Sequence, residues 1–167
     1  MAKETNGYAP GERIVHPVLG VGKVMGLECK SISGAEKTYY RIEMPGSILW
    51  IPVEEIDQER VRPPAKRATI NKAVELLGQP PRQMSANFNE RKSRIQKVAA
   101  QNVPADTARL IRDLHARRSK HSLNETERLA LRDMTRRFLE EWAICAGIGV
   151  DQAENNLNRL LADRPGG

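Results

Sequence analysis

Between Arg13 and Met44 the chain runs RIVHPVLGVGKVMGLECKSISGAEKTYYRIEM, β-branched and polar residues in alternation, broken by Gly20, Gly22, Gly26 and Gly34. That pattern fits short strands with bends between them. RIVHPV is a first strand and GVGKVMGLECKSI a second; SGAEK is a turn, TYYRIEM a third strand, PGS a turn and ILWIPV a fourth. RVRPP adds a brief strand and a proline-rich exit. No crossover helix fits between these runs, so the pairing must be antiparallel. Four or five short strands in about fifty residues predict a small, strongly bent sheet or SH3-like barrel.

Beyond about Ala68 the period changes. PPAKRAT is a break in composition, and helical sequence follows it. TINKAVELL has Thr69 as a candidate cap and Gly78 as its stop. MSANFNERKSRIQKVAAQ offers Ser85 as a cap, and Pro104 suits the first turn of PADTARLIRDLHARRSK. Ser122 and Glu125 have the spacing of a capping box before a long helix. Leu131, Met134, Phe138 and Trp142 recur three or four apart on that helix and predict one buried stripe. With a last helix over VDQAENNLNRLLAD, about five helices form a compact all-α domain. The fold class is therefore α+β in two domains, with 1–65 the β module and 66–167 the helical body.

Charge divides along the same line. Residues 1–62 hold eight Lys and Arg against nine Asp and Glu, a net of −1, whereas 63–167 hold nineteen against twelve, a net of +7. Such an excess is the footprint of a phosphate-binding surface or of a merely solvated helix face. Aromatic residues make up only 4% of the chain, too few for a large aromatic-rich core. No apolar run reaches membrane-spanning length and no signal segment opens the chain, which predicts a cytoplasmic protein without a membrane partner. Cys29 and Cys145 have no CxxC companion, and no metal or other cofactor is expected.

Nothing predicts an enzyme. His16, His115 and His121 lie apart, and the GVG at 20–22 lacks the lysine ending and following helix of a phosphate cradle. Glu54–Glu55 and Glu140–Glu141 are sequence neighbours that point in different directions. No small-molecule substrate is implied.

At GERIVHPVLGVGKVMGLE, then SISGAEKTYYRIEM and IPVEEID with VR, the chain resembles the CarD/CdnL family of bacterial transcription regulators, whose first domain is shared with transcription-repair coupling factors. The match runs through Gly11, Glu12, Val15, His16, Pro17, Gly20, Val21 and Gly22, and continues with Gly34, Tyr39, Tyr40, Ile51 and Pro52. ARLIRDLHARRSKHSLNETERLALRDM is similar, more loosely, to the family's helix–LS–helix segment. The resemblance covers about 11–163 and is strongest before 62. The helical half favours a free-standing regulator, since a coupling factor would continue into a helicase motor.

The resemblance implies a Tudor- or SH3-like domain that binds the β subunit of RNA polymerase, and a helical domain that meets promoter DNA at the upstream edge of the bubble. Lys30, Ile32 and Trp50 fall at the polymerase-facing positions. Trp50 could equally be a core residue, because ILWIPV is apolar on both faces. Phe88 stands where the family has a wedge tryptophan, and Arg91 matches the second arginine of that motif. Phenylalanine keeps an apolar wedge but has less stacking area and no indole N–H. Arg91, Arg94 and Lys97 recur at three-residue spacing, and Arg128 matches a basic family position near a helix N-terminus. These are the expected DNA contacts, largely indifferent to base sequence. The competing expectation is a protein–protein adaptor whose basic faces are only solvated.

Overall fold

The computed structural model describes residues 7–163. The chain divides into two compact units, 1–64 and 65–167.

The front unit is a four-stranded antiparallel meander: β1 (Arg13–His16), β2 (Gly20–Ile32), β3 (Ala35–Met44) and β4 (Ser47–Pro52), in that spatial order. A single 3₁₀ turn, Val53–Glu55, follows. The fifth strand expected at RVRPP shrinks to one bridge. Arg62 returns to the outer side of β1, where Val15 donates to its carbonyl at 2.7 Å and receives its N–H at 3.2 Å. The sheet is thus a half-barrel, with Ile14, Val24, Tyr40, Ile42, Met44, Ile51 and Ile56 packed inside.

Two features bend it. A bulge between Val24 and Gly26 breaks the β2–β3 register, and Gly26 takes a φ of +151° that a side chain resists. The β1–β2 turn is tied by His16, whose Nδ1 accepts the backbone N–H of Val18 and of Leu19, each at 3.1 Å. Gly22 has a different task from the backbone freedom that its sequence suggests. A Cβ there would lie 2.8 Å from Ile42 Cγ2 and 3.2 Å from the Glu43 carbonyl, so glycine is required for space. Gly22→Val is expected to destabilise this unit by about 1–3 kcal/mol through overpacking. A urea transition of the full chain combined with amide exchange of β2 and β3 checks it; an unchanged midpoint would show that the sheet yields freely.

The second unit contains α1 (Arg67–Leu77), α2 (Phe88–Gln101), α3 (Pro104–Lys120), α4 (Glu125–Ala146) and α5 (Val150–Asp163). Ile70 and Leu77 of α1, Ile95 and Val98 of α2, Ile111 and Leu114 of α3, and Leu157 of α5 share one core with the expected α4 stripe. Leu131, Met134, Phe138 and Trp142 are all buried, with the last two rings 6.1 Å apart. Gly78 ends α1 as expected.

Three helix starts differ from expectation. α1 begins at Arg67, not at a Thr69 cap, because its entry is fixed from the side. Ala65 donates its N–H to Glu141 at 2.8 Å, and its carbonyl accepts from the Cys145 thiol at 3.0 Å. α2 is capped by Asn87, whose Oδ1 accepts from the N–H of Asn89 and Glu90. Ser85 instead braces the cap, accepting from Asn87 N–H at 3.1 Å and bonding Glu90 at 2.5 Å. α4 carries a capping box at Asn124 and Glu127, two residues beyond the Ser122–Glu125 pair. The spacing is the same; the partner that selects the register is Arg91.

Candidate functional site

In the front unit the surface of interest is the outer face of the sheet. Cross-strand pairing puts Trp50 opposite Arg41, Lys30 opposite Lys37 and Ile32 opposite Ala35. Alternation then places all three expected residues on the side away from the core. Ile51 is 2% exposed and fills the interior, whereas its neighbour Trp50 is 36% exposed. Trp50 is not a core residue.

Its ring is held on both sides of its chemistry. The Lys30 ammonium sits 3.3 Å from the ring centroid, a cation–π contact, and the indole Nε1–H donates to Glu28 at 3.2 Å. The indole is fixed before any partner arrives. Ile48, two residues along β4 and so on the same face, is exposed, as is Ile32 at the hairpin tip. The β2 segment from Leu27 onward pairs with β3 alone, and β4 is an edge strand, so both present free backbone groups among the described residues. Sequence reasoning missed Ile48; the two-residue spacing from Trp50 was the signal.

In the second unit the start of α2 stands out. Phe88 is the first residue of the helix and is 39% exposed, an aromatic ring held outward on a capped end. Behind it lies a buried charge network. Arg91, expected among the DNA contacts, is instead turned inward and is buried. Its Nε–H donates to Glu127, and Nη1 donates to the carbonyls of Ser85 and Ala86, each at 3.0 Å. Its guanidinium lies 5.8 Å from the Phe88 ring centroid. Glu127, itself 1% exposed, also accepts the Asn124 N–H at 3.0 Å and faces Arg117 Nε at 3.7 Å. Helical phase explains the correction: Arg91 lies one turn before buried Ile95, so its stem runs with the core face. Arg91 fastens the α2 start to α4 through its Nε and Nη1 donors.

Arg94 is half committed. Its Nη2 donates at 2.8 Å to the buried Asp113, which also receives Arg112 Nε and the Arg82 N–H, both at 2.9 Å. Lys97 is exposed, but nine residues after Phe88 puts it about 180° around α2. The residue on Phe88's own side is Lys92, one turn on and exposed, and sequence reasoning passed over it. Arg128 is also exposed and lines a groove between α3, α4 and α5, with Nη1 donating to the Leu123 carbonyl at 3.0 Å.

Among the described residues, no group of three or more His, Cys, Asp or Glu could hold a metal ion, and no helix is long and apolar enough to cross a membrane.

Comparison with known proteins agrees with both halves. Residues 8–65 match the family model described as CarD-like/TRCF RID domain, and residues 72–158 match CarD, C-terminal domain. The transcription-repair-coupling factor of Bacillus subtilis (strain 168) is 45% identical over 49 residues, 29% of this chain and 4% of that protein's length. The chain therefore spans only a small fraction of that curated relative. A half-barrel matching the first domain and five helices matching the second place this chain in the CarD-like family.

Proposed function

We propose that the front unit docks on the β subunit of RNA polymerase through the outer face of its sheet, and that α2 brings Phe88 to promoter DNA at the upstream edge of the bubble. The observation that carries this reading is Phe88 itself: an exposed ring on a helix end that Asn87, Arg91 and Glu127 hold still. A wedge between base steps must not give way as the bases unstack. Lys92 lies beside it for a phosphate, and Arg94 and Lys97 extend basic charge around the helix. A ring that stacks only on melted DNA shifts the closed–open balance by its differential affinity for the two states. DNA affinity without polymerase is weak, and the sheet supplies it by raising local concentration. The site of action is the cytoplasm, with polymerase.

The inward turn of Arg91 and the commitment of Arg94 favour a second reading, a protein adaptor without functional DNA contact, because they remove charge from around Phe88. Phe88→Ala separates the two. Polymerase affinity of the full chain is expected to stay within about twofold. The lifetime of open promoter complexes should fall about tenfold, within the ~1–3 kcal/mol of one aromatic–base stack. Phe88→Trp should lengthen it. An Ala variant with unchanged lifetime and intact binding would leave the adaptor.

A further inference from the structure

The groove between α3, α4 and α5 has no part in the function above, and its chemistry is two-sided. It encloses about 630 Å³, with Leu131 and Leu139 of α4 and Leu157 of α5 among its lining. Four arginines rim it, Arg118 from α3 and Arg128, Arg132 and Arg136 from α4, against two glutamates, Glu140 and Glu154. Val150, at the start of α5, lines it and is 45% exposed.

We propose that this groove receives an acidic amphipathic helix of a protein in the transcription complex. The apolar lining takes the anchors of such a helix, spaced three or four residues apart. The α4 arginines recur every four residues, about 6 Å apart along the axis. A helix with an acidic side chain each turn meets them in the same step. Their present partners are easily exchanged. Arg128 holds a backbone carbonyl, Arg132 the carboxylate of Asp133 at 3.2 Å, and Arg136 that of Glu140 at 3.1 Å. The Arg132–Asp133 pair lies at the surface, where such a contact is worth about 0–1 kcal/mol, and Arg136 is half-exposed beside a partly buried Glu140. Nucleic acid is the poorer occupant, because phosphates would satisfy the arginines and leave the exposed Val150 uncovered. Placing the partner in the transcription complex rests on the polymerase reading; the groove's chemistry does not.

The test uses the full chain with a benzoylphenylalanine crosslinker in place of Asn158, an exposed residue on the α5 wall. A second chain carries it in place of Asn89, beside Phe88. Both are irradiated in complexes of bacterial RNA polymerase holoenzyme with promoter DNA. The expected product from position 158 is a crosslink to a protein segment with acidic residues at helical spacing. Its yield should drop at least about fivefold when Arg132→Glu and Arg136→Glu are added, while position 89 still crosslinks DNA. Crosslinking of position 158 to DNA, or its silence while position 89 reacts, would overturn the proposal. Reaction at 158 without reaction at 89 supports docking and removes the DNA role of α2. Silence at both positions overturns the two together.

Discussion

Glu127→Ala should be the most damaging single substitution in the helical unit, costing about 3–5 kcal/mol. The change leaves the Arg91 guanidinium buried with its charge uncompensated, which is far worse than losing an exposed ion pair. It also opens the α4 capping box, since Glu127 accepts the Asn124 N–H. For a unit of about a hundred residues the melting temperature should fall by more than about 10 °C, measurable by calorimetry on the full chain. Glu127→Gln keeps the shape and an acceptor for the cap but loses the charge, and should cost roughly half as much. The informative control is the pair Arg91→Met with Glu127→Leu, which removes the buried charge pair and should recover part of the stability, the capping box and the Arg117 contact staying lost. If Glu127→Ala cost less than about 1 kcal/mol, water would have to reach Arg91, contrary to its burial.

Trp50→Ala should weaken binding to an isolated β-subunit lobe by about 2 kcal/mol or more, roughly thirtyfold, if the outer sheet face is the docking surface. The indole is ordered in advance by Lys30 above it and Glu28 at its N–H, so little side-chain freedom is lost on binding. Trp50→Phe keeps an aromatic face for Lys30 but gives up the Glu28 bond, and an intermediate loss is expected. Folding should be little affected, because the ring lies outside the core that Ile51 fills. Titration calorimetry with the full chain measures both variants. Affinity equal to the parent's would move the polymerase contact to another face of the unit.

Much of the fold was legible because period and punctuation agree. Strand alternation stops at the proline break, and Leu131, Met134, Phe138 and Trp142 bury as their spacing requires. Caps were less legible. Ser85 and Asn87 compete before α2, and Ser122–Glu125 competes with Asn124–Glu127 before α4, all short polar residues suited to the task. The choice is made by a tertiary contact, Arg91 to Glu127 across 36 positions, which no local pattern contains. Arg91 itself was misjudged for a related reason. Its chemistry suits phosphate as well as carboxylate, and only the phase set by Ile95 reveals which side it faces. Trp50 shows the reverse case: the sequence left its face open, and the pairing of β4 with β3 resolves it.

The return of Arg62 to Val15 has a consequence for how such chains arise. The front unit makes its bridge to β1 two residues before its boundary at Pro64, so that edge of the sheet is covered by its own residues. A piece sealed in this way behaves as a portable cassette. It can be spliced ahead of unrelated sequence at the Pro63–Pro64 seam without uncovering β1. Its family model names two kinds of protein, CarD-like and coupling factor, as expected of a part that travels whole.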